Sequence, residues 1–164
     1  MTPETLAKSG TEAAHQTALF AWAAVVTEHG FEVARKWCEL GPRGFEGSLK
    51  TGVPELRWLH HIPNGGSRGD DAKSRAIRGS QMKAQGVRTG VADVCLPVRR
   101  GDWSGLYIEM KKPAEKPVKA TSKGGVSDDQ AEFGAFVKSQ GFGWIVCYSW
   151  EEAAEVLTQY LTYS

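Results

Sequence analysis

The chain reads as an α/β fold, a mixed four-stranded sheet flanked by helices. Three observations predict it. Helix-spaced apolar stripes alternate with short β-rich runs along 164 residues, in the order helix, short strand, basic helix, hairpin, helix, strand, helix. Two of those runs, residues 91–98 and 106–110, flank the turn-forming stretch 99–104 and so predict an antiparallel hairpin. A further β-rich run, 144–148, follows a helical segment.

Each element has its own signal. Residues 1–10 read as a loose lead-in. Thr11 caps a helix running to about residue 28, with Gly30 just past its end. Leu19, Trp22, Ala23 and Val26 form its inward stripe; extended backwards, the stripe lands on Gln16, His15 and Glu12. Polar groups of the first turn therefore point the same way as the core face. Glu12 in that turn also suits the helix dipole. In 31–52, Val33, Trp37 and Leu40 line a short helix stopped by Gly41-Pro42, and Gly44, Gly47 and Gly52 mark a loop. A helical turn over 54–58 leads to a short strand ending at Ile62, and Pro63-Asn64-Gly65-Gly66 imposes a turn.

Residues 68–85 are polar and helix-forming. Ala72, Ala76, Ile77 and Met82 give a thin apolar face, Lys73, Arg75, Arg78 and Lys83 decorate the rest, and Gly86 ends it. The stretch 112–125, with four lysines, two prolines and a glycine pair, reads as a mobile loop. Ser127 with Gln130 is a capping box opening a helix whose buried stripe is Phe133, Phe136 and Val137, and Gly141 ends it. Ser149 with Glu152 is a second box. It opens a last helix to about Leu161, packed through Ala153, Val156, Leu157 and Tyr160.

Composition, at 41% hydrophobic and 24% charged residues, is that of one globular domain. No apolar run approaches the length of a membrane span, and the N-terminus lacks a basic-then-apolar signal pattern. Cys38, Cys95 and Cys147 are far apart and in no metal-ligand spacing; Cys95 and Cys147, in strand-like runs, read as small buried hydrophobes, and a reducing cytoplasm fits. The net charge of +1 hides an asymmetry. Residues 64–123 hold thirteen Lys and Arg against six Asp and Glu, which is +7; the residues before sum to −1 and those after to −5. A basic middle suggests a polyanionic partner, the alternative being charges scattered and solvated over the surface.

That basic middle contains the candidate chemistry. Glu109 and Lys111 share one face of a strand, while Ile108 and Met110 share the other. Alone, a Glu-x-Lys strand face is most often a solvated surface pair. The hairpin changes the weighing by bringing Asp93 beside Glu109. Two carboxylates that close repel unless a cation lies between them, and hard oxygen donors without a soft partner favour Mg²⁺ or Mn²⁺.

Three stretches now stand in order: Gly90-Val91-Ala92-Asp93; Leu106 through Glu109 to Lys111; and Ser127-Asp128-Asp129-Gln130. Together with His61-Ile62-Pro63-Asn64-Gly65, this set resembles the VRR-NUC branch of the PD-(D/E)xK nucleases, over roughly residues 12–161 and least over 31–52, which reads as a possible insertion. Ala92 stands where that branch usually has proline, a change that loses a rigid turn but no ligand. The resemblance implies a restriction-endonuclease-like core and a Mg²⁺-dependent DNA endonuclease. It implies that Asp93, Glu109 and the main-chain carbonyl of Met110 hold the ion, that Glu12 (with Gln16 four positions on) approaches it from the first helix, and that Lys111 and Gln130 join the catalytic set. It implies that His61 and Asn64 contact a phosphate or water. Arg68, Arg75, Arg88, Lys112, Lys116 and Lys119 are the candidate backbone contacts to DNA. The smaller members resemble Holliday-junction resolvases, which implies a homodimer acting on branched DNA. A nucleic-acid-binding protein without catalysis, and a small-molecule metal hydrolase, are the competing readings.

Overall fold

The computed structural model describes residues 1–49, 51–63, 72–119 and 122–163. Among the described residues, the helices and strands follow in the order α1 (Pro3–Ala7), α2 (Glu12–His29), α3 (Phe31–Leu40), β1 (His60–His61), α4 (Ala72–Ala84), β2 (Val94–Leu96), β3 (Leu106–Met110), α5 (Asp128–Ser139), β4 (Gly143–Cys147) and α6 (Trp150–Thr162). Short 3₁₀ turns lie at Gly41–Phe45, Pro54–Trp58 and Pro113–Glu115.

The sheet is mixed, in the order β1-β2-β3-β4. The β1–β2 and β2–β3 pairs are antiparallel, whereas β3 and β4 run parallel from Leu106↔Gly143 to Met110↔Cys147. Parallel neighbours need a crossover, and α5 supplies it. Alternation along β3 sorts its side chains into two layers. Leu106, Ile108 and Met110 join α2 and α6 in a core built from Leu19, Trp22, Val26, Ala153 and Leu157. Tyr107 and its register partner Trp144 face α5 instead: Tyr107 meets Phe133 edge-on at 5.3 Å, and Gly134 lies against the Trp144 ring.

The caps form as the sequence predicts at two helices. Thr11 accepts from Ala14 N, and Ser127 and Gln130 make a reciprocal capping box. The stripe of α2 is buried throughout. Cys38, Cys95 and Cys147 are free thiols, and burial pushes Cys147 up to about 12. Among the described residues, no helix is long and apolar enough to cross a membrane.

Several expectations are corrected. The lead-in is not loose: Pro3 starts α1, and Ala7 and Leu6 pack on the core. β2 pairs over three residues rather than eight, since the chain before Asp93 turns and Val98 leaves the ladder. Leu40 is exposed at the end of α3 while Val33, Ala34 and Trp37 carry the packing. The thin apolar face of α4 does not bury Ala76 or Ile77. Phe136 is 61% exposed, because α5 presents Gly134 and Val137 to the sheet and so turns Phe136 outward. Glu152 bonds Tyr148 N rather than closing a box with Ser149, whose hydroxyl still accepts from Glu152 N.

Candidate active site

Asp93, Glu109 and Lys111 are the charged residues buried together at the C-terminal end of β3, with 8%, 1% and 8% of their surface exposed. Their meeting follows from register. Val94 pairs with Ile108, so the next position outward sets Asp93 opposite Glu109 on the same side of the sheet. Asp93 Oδ2 accepts from Met110 N at 2.9 Å, which fixes the carboxylate to the strand that carries its partner. Two positions beyond Glu109, Lys111 returns to the same face and sets Nζ 2.8 Å from Glu109 Oε1. The Lys111 main chain is held in turn by Cys147 O.

Gln130 completes the cluster. Its Oε1 accepts from Ser127 N in the capping box, and its Nε2 donates to Glu109 Oε1. One side chain thus closes the start of α5 and orients the buried carboxylate. Glu109 Oε2 is buried and has no hydrogen-bond partner among the described residues.

Burial pushes the Glu109 carboxyl up to about 7; the Lys111 ammonium works against that rise, and the Asp93 charge adds to it. Burial disfavours the Lys111 ammonium, but the hydrogen bond and charge of Glu109, with Glu12 and Asp93, hold its pKa above the ordinary lysine value. Glu12, half-buried at the start of α2, is raised by burial and then by Asp93. Its carboxyl, at the start of α2, interacts electrostatically with Asp93 and Lys111.

A hard divalent cation fits this donor set. Asp93 and Glu109 are two buried carboxylates, and the unpartnered Oε2 of Glu109 is the kind of atom a cation satisfies. No three His, Cys, Asp or Glu side chains converge in a ligating group among the described residues. Asp93 and Glu109 offer hard carboxylate oxygens, the donor type that suits Mg²⁺ or Mn²⁺. Glu12 acts on them electrostatically.

The other candidates are dispersed around this centre. His61 Nδ1 lies 2.9 Å from Asp93 O, and Ile62 N donates to the same carbonyl, so His61 is attached to the segment that carries Asp93. Arg88 is exposed in the loop before Asp93. Lys112, Lys116 and Lys119 are exposed beyond β3. Lys116 is engaged with Glu152 at 2.6 Å, and Lys123 with Asp128 at 2.6 Å. Asn64 and Arg68, and the side chain of Arg75, lie outside the described residues. Sequence reasoning did not single out His15 or Glu115. His15, buried in α2, accepts from Trp150 N at the start of α6. Glu115 bonds Lys112 N just after β3 and bears on Glu12. His15 lies on the polar extension of the α2 stripe, a signal that was available; Glu115 ends the 3₁₀ turn Pro113–Glu115, in a stretch the sequence reads only as a loop.

The profile of the VRR-NUC domain family matches residues 57–151, a span that includes His61, Asp93, Glu109, Lys111 and Gln130 but not Glu12. A solved structure described as a VRR-NUC domain protein superposes with a TM-score of 0.56 at 20% identity, covering 92% of this chain and 88% of that one, a likeness of fold. No match was found among curated proteins.

Proposed function

The chain belongs to the VRR-NUC domain family, a nuclease-type domain, and from that premise we propose that it is a metal-dependent DNA endonuclease hydrolysing phosphodiester bonds. The observation that carries the reading is the buried Asp93–Glu109–Lys111 cluster with an unpartnered carboxylate oxygen. Burying the charged forms of such groups costs several kcal/mol each unless a partner repays it, a cost that burial already shows in the raised Glu109 carboxyl.

Asp93 and Glu109 would hold Mg²⁺ or Mn²⁺, with the Met110 carbonyl, and Glu12 would contribute from farther off. When bound, such a cation supplies Lewis acidity, acidifying a water and offsetting charge on the phosphoryl oxygens. Gln130 keeps Glu109 in one orientation through its Nε2. Lys111, already aimed across the site at Glu109, is a fixed ammonium that donates to a phosphoryl oxygen or to the attacking water. His61, Arg88, Lys112 and Lys119 would hold the flanking backbone.

Asp93→Asn and Glu109→Gln should each reduce cleavage by at least a hundredfold and weaken Mg²⁺ or Mn²⁺ binding in calorimetry, with the far-ultraviolet circular dichroism unchanged. Lys111→Ala should keep the metal and lose the cleavage. A panel of single-stranded, duplex, flap and four-way-junction DNA reads the activity. Unchanged metal affinity in both carboxylate variants would sink the assignment.

A further inference from the structure

Resting on the nuclease reading, we propose that the cleft between residues 88–89 and the outer face of α5 is a subsite for one unpaired nucleobase of the DNA, seated on Phe136 and Phe133 with Arg88 at its rim. The cleft is about 500 Å³ and is lined by Arg88, Thr89, Asp129, Glu132, Phe133 and Phe136. Its four helical residues stand at i, i+3, i+4 and i+7 and so form one continuous strip. Phe136 is 61% exposed, and Phe133 beside it is half-buried with its ring set edge-on against Tyr107. One ring is thus braced and the next is open.

The opposite wall is held in place. Gly90 has φ +81°, and a Cβ there would lie 2.6 Å from the Asp129 main chain. Only a glycine lets the loop press this closely on the first turn of α5, and the contact holds Arg88 and Thr89 across from the rings. The same turn reaches the reaction centre, because Gln130, next to Asp129, bonds Glu109. Phe133 and Phe136 lie about 4.5 and 9 Å farther along the helix axis. That is roughly one to three nucleotide steps at about 3.4 Å each.

Charge decides which part of a nucleotide enters. Asp129 and Glu132 repel phosphate, so the backbone stays at the Arg88 rim and the base points inward. There the carboxylates accept from N–H groups on the pairing edge; guanine, adenine and cytosine offer an exocyclic amino group, whereas thymine offers only its single ring N3–H. The aromatic rings supply a stacking face. In an intact duplex both the pairing edge and the base faces are occupied, so this subsite selects single-stranded or branched DNA.

The test measures anisotropy of a fluorescein-labelled twelve-nucleotide single strand, and of the same sequence as a duplex, in EDTA. Phe136→Ala should weaken single-strand binding roughly tenfold and duplex binding less than twofold, while Phe136→Trp restores it and Phe136→Leu, of similar apolarity without a ring, does not. A dT homopolymer should bind less tightly than dA or dC homopolymers, and Asp129→Asn with Glu132→Gln should erase that difference. Equal losses on single strand and duplex, full affinity in Phe136→Ala, or a Phe136→Ala effect confined to the mass of the protein in solution would overturn the proposal, the last by assigning the face to a second copy. Because binding is read without metal, a protein that holds single strands through Phe136 yet never cuts would fail as a nuclease and keep the subsite. One that cuts but ignores Phe136→Ala would do the reverse.

Discussion

Glu109 is a carboxyl group that the fold keeps almost wholly from water, and its proton is therefore linked to stability. Its pKa rises from 4.5 to about 7 on folding, burial being the first cause. Between those values the folded chain retains a proton that the unfolded chain has lost. The stability contributed by this group is complete below about pH 4.5 and is lost as the pH rises through 7, at on the order of 1.4 kcal/mol per pH unit at most. Denaturant unfolding in EDTA should accordingly show the wild-type protein weakening from pH 5 to pH 8 relative to Glu109→Gln, which cannot ionise. Mg²⁺ should recover stability at pH 8 and have little effect at pH 5, where the carboxyl is protonated. A difference between the two proteins that stays flat across this window would contradict the assigned cost. Lys111 does not remove the penalty, since its ammonium neutralises one oxygen of Glu109 and leaves the other without a partner.

At the level of elements, the orientation of α5 determines what the site can present. Gly134 allows the helix onto the sheet: an added Cβ would lie 2.6 Å from the Trp144 ring. Helix propensity alone would make Gly134→Ala stabilising by about 1 kcal/mol. Overpacking against the indole costs about 1–3 kcal/mol, so the net change should be destabilising. Trp144→Leu in the same chain should reverse the sign, as a double-mutant cycle by denaturant unfolding would show; a stabilised Gly134→Ala single variant would rule out this packing account. The same helix marks the limit of what its sequence shows. Ser127 and Gln130 declare the cap because a capping box is a local pattern, and Gln130 also reaches Glu109. Phe133, Phe136 and Val137 suggest an inward stripe because hydrophobicity was the sole guide to facing. Gly134 carries no hydrophobic signal, yet it sets the rotation through steric contact with a residue ten positions away. The Glu109–Lys111 face was legible from strand alternation, and Asp93 from the hairpin. The three-residue length of β2 was not, since the turn before Asp93 depends on Gly90 docking on α5, a tertiary contact. Nor was α1 legible, because five residues carry too little periodicity to register.

Along the chain, positive charge and the proposed reaction centre fall in the same segment. The segment 64–123 carries +7 and contains Asp93, Glu109 and Lys111, while the chain on either side is net acidic. The proposed substrate is branched DNA held by two copies of the chain, because one site cuts one strand per encounter and paired symmetric cuts need two. Lys116 enters such a complex only by leaving Glu152, so its contribution to affinity is smaller than that of Arg88, Lys112 or Lys119. With Arg68 and Arg75 from the same basic segment, neutralising five to six phosphates gives a log–log dependence of affinity on salt with a slope of roughly −5 for duplex arms. Lys116→Ala should leave that slope nearly unchanged, whereas Lys112→Ala should reduce it by about one. Light scattering should return twice the 17.9 kDa mass of the chain, and four-way junctions should yield paired nicks. A protein that stays monomeric at the working concentration, and that cuts duplex and junction equally well, would remove the paired-site reading while leaving the hydrolytic one in place.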